Sequence, residues 1–86
     1  MRITTKQLRI SGREETVSIP INTPFIHLFQ DDGVFLVYGD SSDGAVGRYR
    51  ILTRNVGAEV PLGSMFLGSV RSGDIQVFYF MESVDD

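Results

Sequence analysis

Short runs of β-branched and aromatic residues alternate along the chain with clusters of Gly, Asp, Asn, Ser and Pro. This pattern is typical of antiparallel β structure, and no window keeps the period of a helix. The pattern predicts about seven short strands, at residues 3–10, 15–19, 25–30, 34–38, 45–53, 65–70 and 75–81. Because the connections are short, we predict an all-β domain, either a small antiparallel β sandwich or a partly open barrel.

Three local signals refine this prediction. Asp31-Asp32-Gly33 and the segment 71–74 are each typical of a tight hairpin turn, because Gly and Asp tolerate positive φ values. Pro20 donates no ladder hydrogen bond, so the second strand ends there or lies at a sheet edge. The run 34–38 is apolar throughout and predicts a central strand.

The chain has 86 residues, 42% of them apolar and 22% charged, which fits one folded domain with a modest core. We expect that domain to span residues 1–82 and the acidic residues 83–86 to form a frayed tail. No cysteine is present, so neither disulfides nor thiolate metal sites supplement the core. A second copy of the chain is therefore a reasonable source of further stability.

Charge is distributed unevenly around a net value of −3. Arg2, Lys6, Arg9 and Arg13 make the first thirteen residues basic, with no acid among them, whereas the C-terminus is acidic. The two ends could therefore attract each other, and terminal strands of opposite charge would gain a little from cross-strand pairs if they were adjacent. No signal-like apolar segment and no apolar run of membrane-spanning length is found, so we expect a cytoplasmic protein that does not enter membranes.

The stretch 77–81 is apolar on both of its faces. One face carries Phe78 and Phe80, and the other carries Val77, Tyr79 and Met81. One set can fill the core, and the other would then be exposed unless a partner covers it. Phe78, Tyr79 and Phe80 are therefore the candidate interface residues of a homodimer, with the Tyr79 hydroxyl expected at the wet rim.

Three arginines on, or just beyond, the fifth predicted strand are an even number of residues apart and could project from one face. They are Arg48, Arg50 and Arg54. Guanidinium groups in a row can bind a phosphate, a nucleotide or an acidic protein surface. The alternative is a solvated face whose charges prevent strand pairing. Both interpretations place these side chains outside the core.

The chain lacks the residues that most enzyme sites need. His27 is the single histidine. It shares one face of the third predicted strand with Phe25 and Phe29, so we expect it to be structural or partly buried. Asp40-Ser41-Ser42-Asp43-Gly44 does not match a calcium loop. We therefore predict no catalytic residues, no metal, no cofactor and no enzymatic activity. Nucleic-acid binding is also disfavoured, because the net charge is negative and the phenylalanines lie in apolar strands.

The sequence resembles a family of small, uncharacterised phage and bacterial proteins that form a domain of unknown function. The resemblance covers most of the chain and is carried by the segments 17–20, 26–31, 35–38, 66–70 and 77–80. Val37 stands where that family usually has a tryptophan, and this chain has no tryptophan. The family implies a phage setting but supplies no functional residues.

Together these observations predict a non-enzymatic, phage-encoded accessory protein in the host cytoplasm. It would bind and block a host protein, for example a component of bacterial defence. A structural virion or assembly component and a binder of nucleotides or other small anions are the alternatives.

Overall fold

A computed structural model of the chain describes residues 1–9, 14–40 and 44–84. Those residues form seven antiparallel strands and no helix, which confirms the predicted class and number of strands. The strands are β1 (Arg2–Leu8), β2 (Glu15–Pro20), β3 (Ile26–Gln30), β4 (Val34–Asp40), β5 (Val46–Arg54), β6 (Met65–Ser72) and β7 (Ile75–Ser83). The described part of the chain accordingly contains no helix that could cross a membrane.

The strands form two sheets that pack face to face. The three-stranded sheet has the order β1-β4-β3, and the four-stranded sheet has the order β2-β5-β7-β6. The molecule measures 17 Å along its shortest axis, as expected for two stacked sheets with their side chains. The sheets do not close into a barrel, so the sandwich is the alternative that agrees with the structure.

The turn and edge signals in the sequence are confirmed. β3 and β4 form a hairpin in which Asp32 adopts a φ of 53° and the Asp31 amide donates to the Gly33 carbonyl at 2.9 Å. β6 and β7 form the second hairpin. β4 is the central strand of its sheet, and β2 is an edge strand that ends at Pro20.

The core lies between the sheets and is built from alternate residues of each strand. The four-stranded sheet contributes Tyr79 and Ile19, both without exposed surface, and the three-stranded sheet contributes Leu36 and Val34. The other core residues are Leu8, Val17, Tyr38, Ile51, Val70, Val77 and Met81. This inward set fixes which residues of each strand face outwards.

One side of the sandwich is closed by contact between β3 and β6. Gly68 lies at a β-bulge with a φ of +150°, and a Cβ atom added there would stand 3.3 Å from Leu28 Cβ. The Gln30 side chain also donates to the Arg71 carbonyl at 3.0 Å. Gly68 thus allows the two sheets to approach closely at this side.

The two terminal strands lie in different sheets, and the first two residues of the predicted tail belong to the fold. β1 belongs to the three-stranded sheet, whereas β7 lies between β5 and β6 in the other sheet, so the terminal strands are not paired. Both edges of β7 are already occupied, which leaves no place for β1. The sheet also extends beyond residue 82, because Ser83 belongs to β7 and the Val84 amide donates to the Arg48 carbonyl at 3.0 Å. Residues 85–86 of the predicted tail lie outside the described residues.

Candidate binding surfaces

Strand alternation places two phenylalanines of β7 on the outer face of the four-stranded sheet. Val77, Tyr79 and Met81 face the core, so Phe78 and Phe80 face outwards. The register sets Phe80 between Leu52 of β5 and Phe66 of β6. We call Leu52, Phe66, Phe78 and Phe80 the phenylalanine patch.

The phenylalanine patch has a buried base and an exposed top. Leu52 has no exposed surface, although it points away from the main core. Phe66 is 56% exposed, and its ring lies 5.3 Å from that of Phe80 and 6.4 Å from that of Phe78, with tilted planes. Such tilted ring pairs are favourable arrangements. The patch is therefore an ordered apolar surface with one large ring open to solvent.

A second group of apolar side chains lies on the outer face of the three-stranded sheet. Phe29 and Phe35 stand opposite each other in the β3–β4 hairpin, with ring centroids 6.2 Å apart, and Phe29 is 48% exposed. Val37 follows Phe35 on the same face. We call Phe29, Phe35 and Val37 the hairpin patch. The two patches lie on opposite outer surfaces of the sandwich.

None of the six phenylalanines, all of which are described, belongs to the buried core. The buried aromatic residues are the tyrosines Tyr38 and Tyr79. An apolar ring in water forfeits roughly 1.5–3 kcal/mol of burial free energy. Large exposed apolar patches normally mark interaction surfaces. The rings of Phe29 and Phe66, each about half exposed, therefore leave apolar surface of both patches open to solvent.

Tyr79 is placed differently from the rim position that the sequence suggested. It has no exposed surface, and its hydroxyl donates to the Arg9 carbonyl at 3.1 Å. Burial, and to a lesser degree the nearby Glu15 carboxylate, raises the pKa of Tyr79 above its usual value of 10.0. Tyr79 is therefore a core residue that joins β7 to the end of β1, and it presents no side chain to a partner.

The three arginines of β5 lie on the outer face beside the phenylalanine patch, as their parity predicted. Arg50 forms a salt bridge of 3.0 Å with Glu82, which stands opposite it on β7, and a longer one of 3.5 Å with Glu14. Arg48 is exposed one step further along this face. The surface around the three arginines therefore carries acidic as well as basic side chains.

Arg54 is held even more closely than Arg50. Its guanidinium donates to the Glu59 and Thr53 carbonyls at 3.0 and 2.9 Å and lies 3.8 Å from the Glu14 carboxylate. Its side chain is only 23% exposed. These contacts occupy guanidinium donors that an anion would need, so Arg50 and Arg54 are poorly placed to bind a phosphate.

Two features of the sequence point to these ion pairs, although the parity of the arginines does not reveal them. Glu82 shares the parity of Phe78 and Phe80, which places an acid on the same outer face. Glu14 directly precedes β2, the strand paired with β5. The register between β5 and β7 was needed to bring these acids to the arginines.

His27 is exposed on the outer face of β3, opposite Val37. This differs from the expected structural or partly buried position, because His27 shares the parity of the outward Phe29 rather than that of the inward Leu28. No group of three or more His, Cys, Asp or Glu residues suited to a metal occurs in the described ranges. Ser41, Ser42 and Asp43 of the acidic turn lie outside those ranges.

A cavity of about 350 Å³ opens at one end of the sandwich. It is lined by Met1, Pro20, Asn22, Thr23, Pro24, Gly39 and Gly44. The Thr23 hydroxyl donates to the Phe25 carbonyl and accepts from the Gly39 amide, at 3.0 and 2.9 Å. Among the described residues of this lining, Thr23 carries the single side-chain hydroxyl, and its two hydrogen bonds serve the local backbone.

Comparison of the chain with known protein families, with curated proteins and with solved structures found no match. The two patches and the charges around them are the features of the described chain that bear on its function.

Proposed function

We propose that this protein is a non-enzymatic binding protein that acts by covering the surface of another protein. The observation that carries the proposal is the placement of all six phenylalanines outside the core, five of them in strands on the two outer faces. Protein interfaces are enriched in aromatic residues at their centres. A small sandwich with an aromatic cluster on each outer face is well suited to bind two partners at once.

One of these partners is a second copy of the chain, bound through the phenylalanine patch. Of the three arginines beside the patch, the two nearest to it, Arg50 and Arg54, are offset by the carboxylates of Glu82 and Glu14, and Arg48 lies one step further along the face. A two-fold interface brings the same patch together from both subunits. Offset charges beside the patch let two copies approach without strong repulsion, and the apolar rings leave water.

The other partner is the target, bound through the hairpin patch, which remains free on both subunits of such a dimer. The resemblance to phage and bacterial proteins supports a phage-encoded protein that works in the host cytoplasm. Its proposed target is a host protein, for example a component of bacterial defence, which it blocks by occupying a functional surface.

Capture from a bacterial lysate tests this function. Wild-type protein, a Phe29→Asp variant and a Val56→Asp control are immobilised, and the bound proteins are compared by mass spectrometry. Val56 is 81% exposed in a loop, so the control adds the same charge away from both patches. We expect one protein to be retained by wild type and control and lost from Phe29→Asp. Identical capture by all three proteins, each shown to be folded, would contradict the role of the hairpin patch.

A structural virion or assembly component is the second candidate, and the same two patches favour it. Apolar surfaces on opposite sides of a subunit permit open, repeating assembly when unlike patches meet. This candidate predicts large particles whose size grows with concentration, whereas the first predicts a defined small oligomer. The nucleotide or anion binder has less support, because Arg50 and Arg54 are engaged by acids and carbonyls.

A further inference from the structure

The edge of β1 differs from the other three sheet edges. β3 and β6 are close to each other at the closed side of the sandwich, and β6 also carries the bulge at Gly68. β2 ends at Pro20. β1 runs for seven residues without a proline or a bulge, and β4 is its single partner strand in the described chain. Proteins normally protect such edges, because an edge strand has unpaired backbone groups.

The side chains of β1 that lie over the inner face are strongly basic. The register sets Lys6 opposite Leu36, Leu8 opposite Val34 and Arg2 opposite Asp40. Leu36 and Val34 are core residues, so this parity points inwards, yet Lys6 and Arg2 are exposed. Neither cation forms an ion pair within the described residues, not even Arg2 with Asp40.

We propose that the β1 edge binds an extended acidic peptide segment of a partner protein by strand addition. The main-chain groups of the edge would provide the hydrogen bonds, and the side-chain pattern would provide the selectivity. On the inner side, the added strand carries acidic residues opposite Arg2 and Lys6, a small residue opposite Thr4 and an apolar residue opposite the buried Leu8. These positions alternate because every second residue of a strand faces the same side.

A second copy of β1 is a poor occupant of this edge. An antiparallel β1–β1 pair centred on Thr5 would bring Arg2 and Lys6 of both copies to one face, which is unfavourable for like charges. Lys6 in this inward position therefore prevents self-association and selects acidic strands. This inference is independent of the two aromatic patches.

The test uses a synthetic peptide of the same length as β1, designed for antiparallel addition. It has glutamate opposite Arg2 and Lys6, leucine opposite Leu8 and threonine elsewhere. Binding to the full chain is followed by NMR titration of backbone amides. We expect shifts concentrated in β1 and β4 and an affinity that falls with added salt. The absence of binding at millimolar peptide would overturn the proposal.

Two matched experiments separate strand addition from loose electrostatic attraction. The double variant Arg2→Glu with Lys6→Glu should bind the peptide at least about tenfold more weakly, and a peptide with lysine in place of glutamate should restore its binding. Two further peptides carry N-methyl groups on one or the other alternating set of amides. Strand addition predicts that methylation of only one of these two sets of amides abolishes binding. Equal binding of both methylated peptides, or no effect of charge reversal, would refute it.

Discussion

Replacing Tyr79 by phenylalanine removes the hydroxyl of a core residue and leaves its ring in place. That hydroxyl donates to the Arg9 carbonyl at 3.1 Å and links β7 to the residue after β1. Losing such a hydrogen bond lowers the free energy of unfolding by about 0.5–1.5 kcal/mol. For a domain of this size each kcal/mol corresponds to roughly 4–8 °C in Tm. We therefore expect the Tm of Tyr79→Phe to fall by several degrees.

Tyr38→Phe is the matched control. Tyr38 is also buried, but its hydroxyl has no hydrogen-bond partner within the described residues, and no buried side-chain oxygen there is left unsatisfied. The Tyr38 hydroxyl therefore reaches solvent, and its removal should change the free energy of unfolding by less than about 0.5 kcal/mol. Thermal melts followed by circular dichroism compare the two variants. Equal Tm changes in both would refute the role assigned to the Tyr79 hydrogen bond.

The raised pKa of Tyr79 adds a dependence on alkaline pH. The unfolded chain releases the Tyr79 proton near its usual pKa of 10.0, while the folded chain retains it to higher pH. The contribution of protonated Tyr79 to the free energy of unfolding is therefore fully present below about pH 10, and it is lost as pH rises through the folded-state pKa. Wild type should lose stability above that pH more steeply than Tyr79→Phe. Parallel pH profiles in urea denaturation would contradict this assignment.

Three further predictions concern packing and charge. Gly68→Ala should destabilise the fold more than Gly73→Ala. Both glycines have a positive φ, but of the two only Gly68 has a neighbouring side chain within 4 Å of an added Cβ atom. Equal midpoints of urea unfolding for the two variants would contradict this. Leu52→Ala should lower the free energy of unfolding by about 2–5 kcal/mol, and a cost near zero would show that the base of the phenylalanine patch is not packed. A double-mutant cycle of Arg50→Gln and Glu82→Gln should give a coupling below about 1 kcal/mol that decreases with salt, since both side chains are partly exposed.

The strands and hairpins could be predicted from the sequence because their signals are local. Alternation identified all seven strands to within a few residues, and Asp31-Asp32-Gly33 specified its turn through backbone conformation. The choice between sandwich and barrel could not be made in this way. It depends on strand order, which is set by contacts between residues far apart in the chain.

The orientation of β7 shows why the candidate site was predicted only in part. Both of its faces are apolar, so composition cannot decide which one enters the core. The register places Arg54 opposite Phe78 and Arg50 opposite Glu82, and a face that carries these charges must point outwards. The same pairing explains why charge reversal at Arg50 should also cost some stability.

Light scattering on purified protein tests most directly whether the outer phenylalanines form a contact surface. Wild type at micromolar concentration is predicted to have twice the chain mass of 9.6 kDa. Phe66→Asp, which alters the most exposed ring of the phenylalanine patch, should have the mass of one chain and keep a β spectrum, while Val56→Asp should remain dimeric. A wild-type monomer, or a Phe66→Asp variant that stays dimeric, would contradict the account.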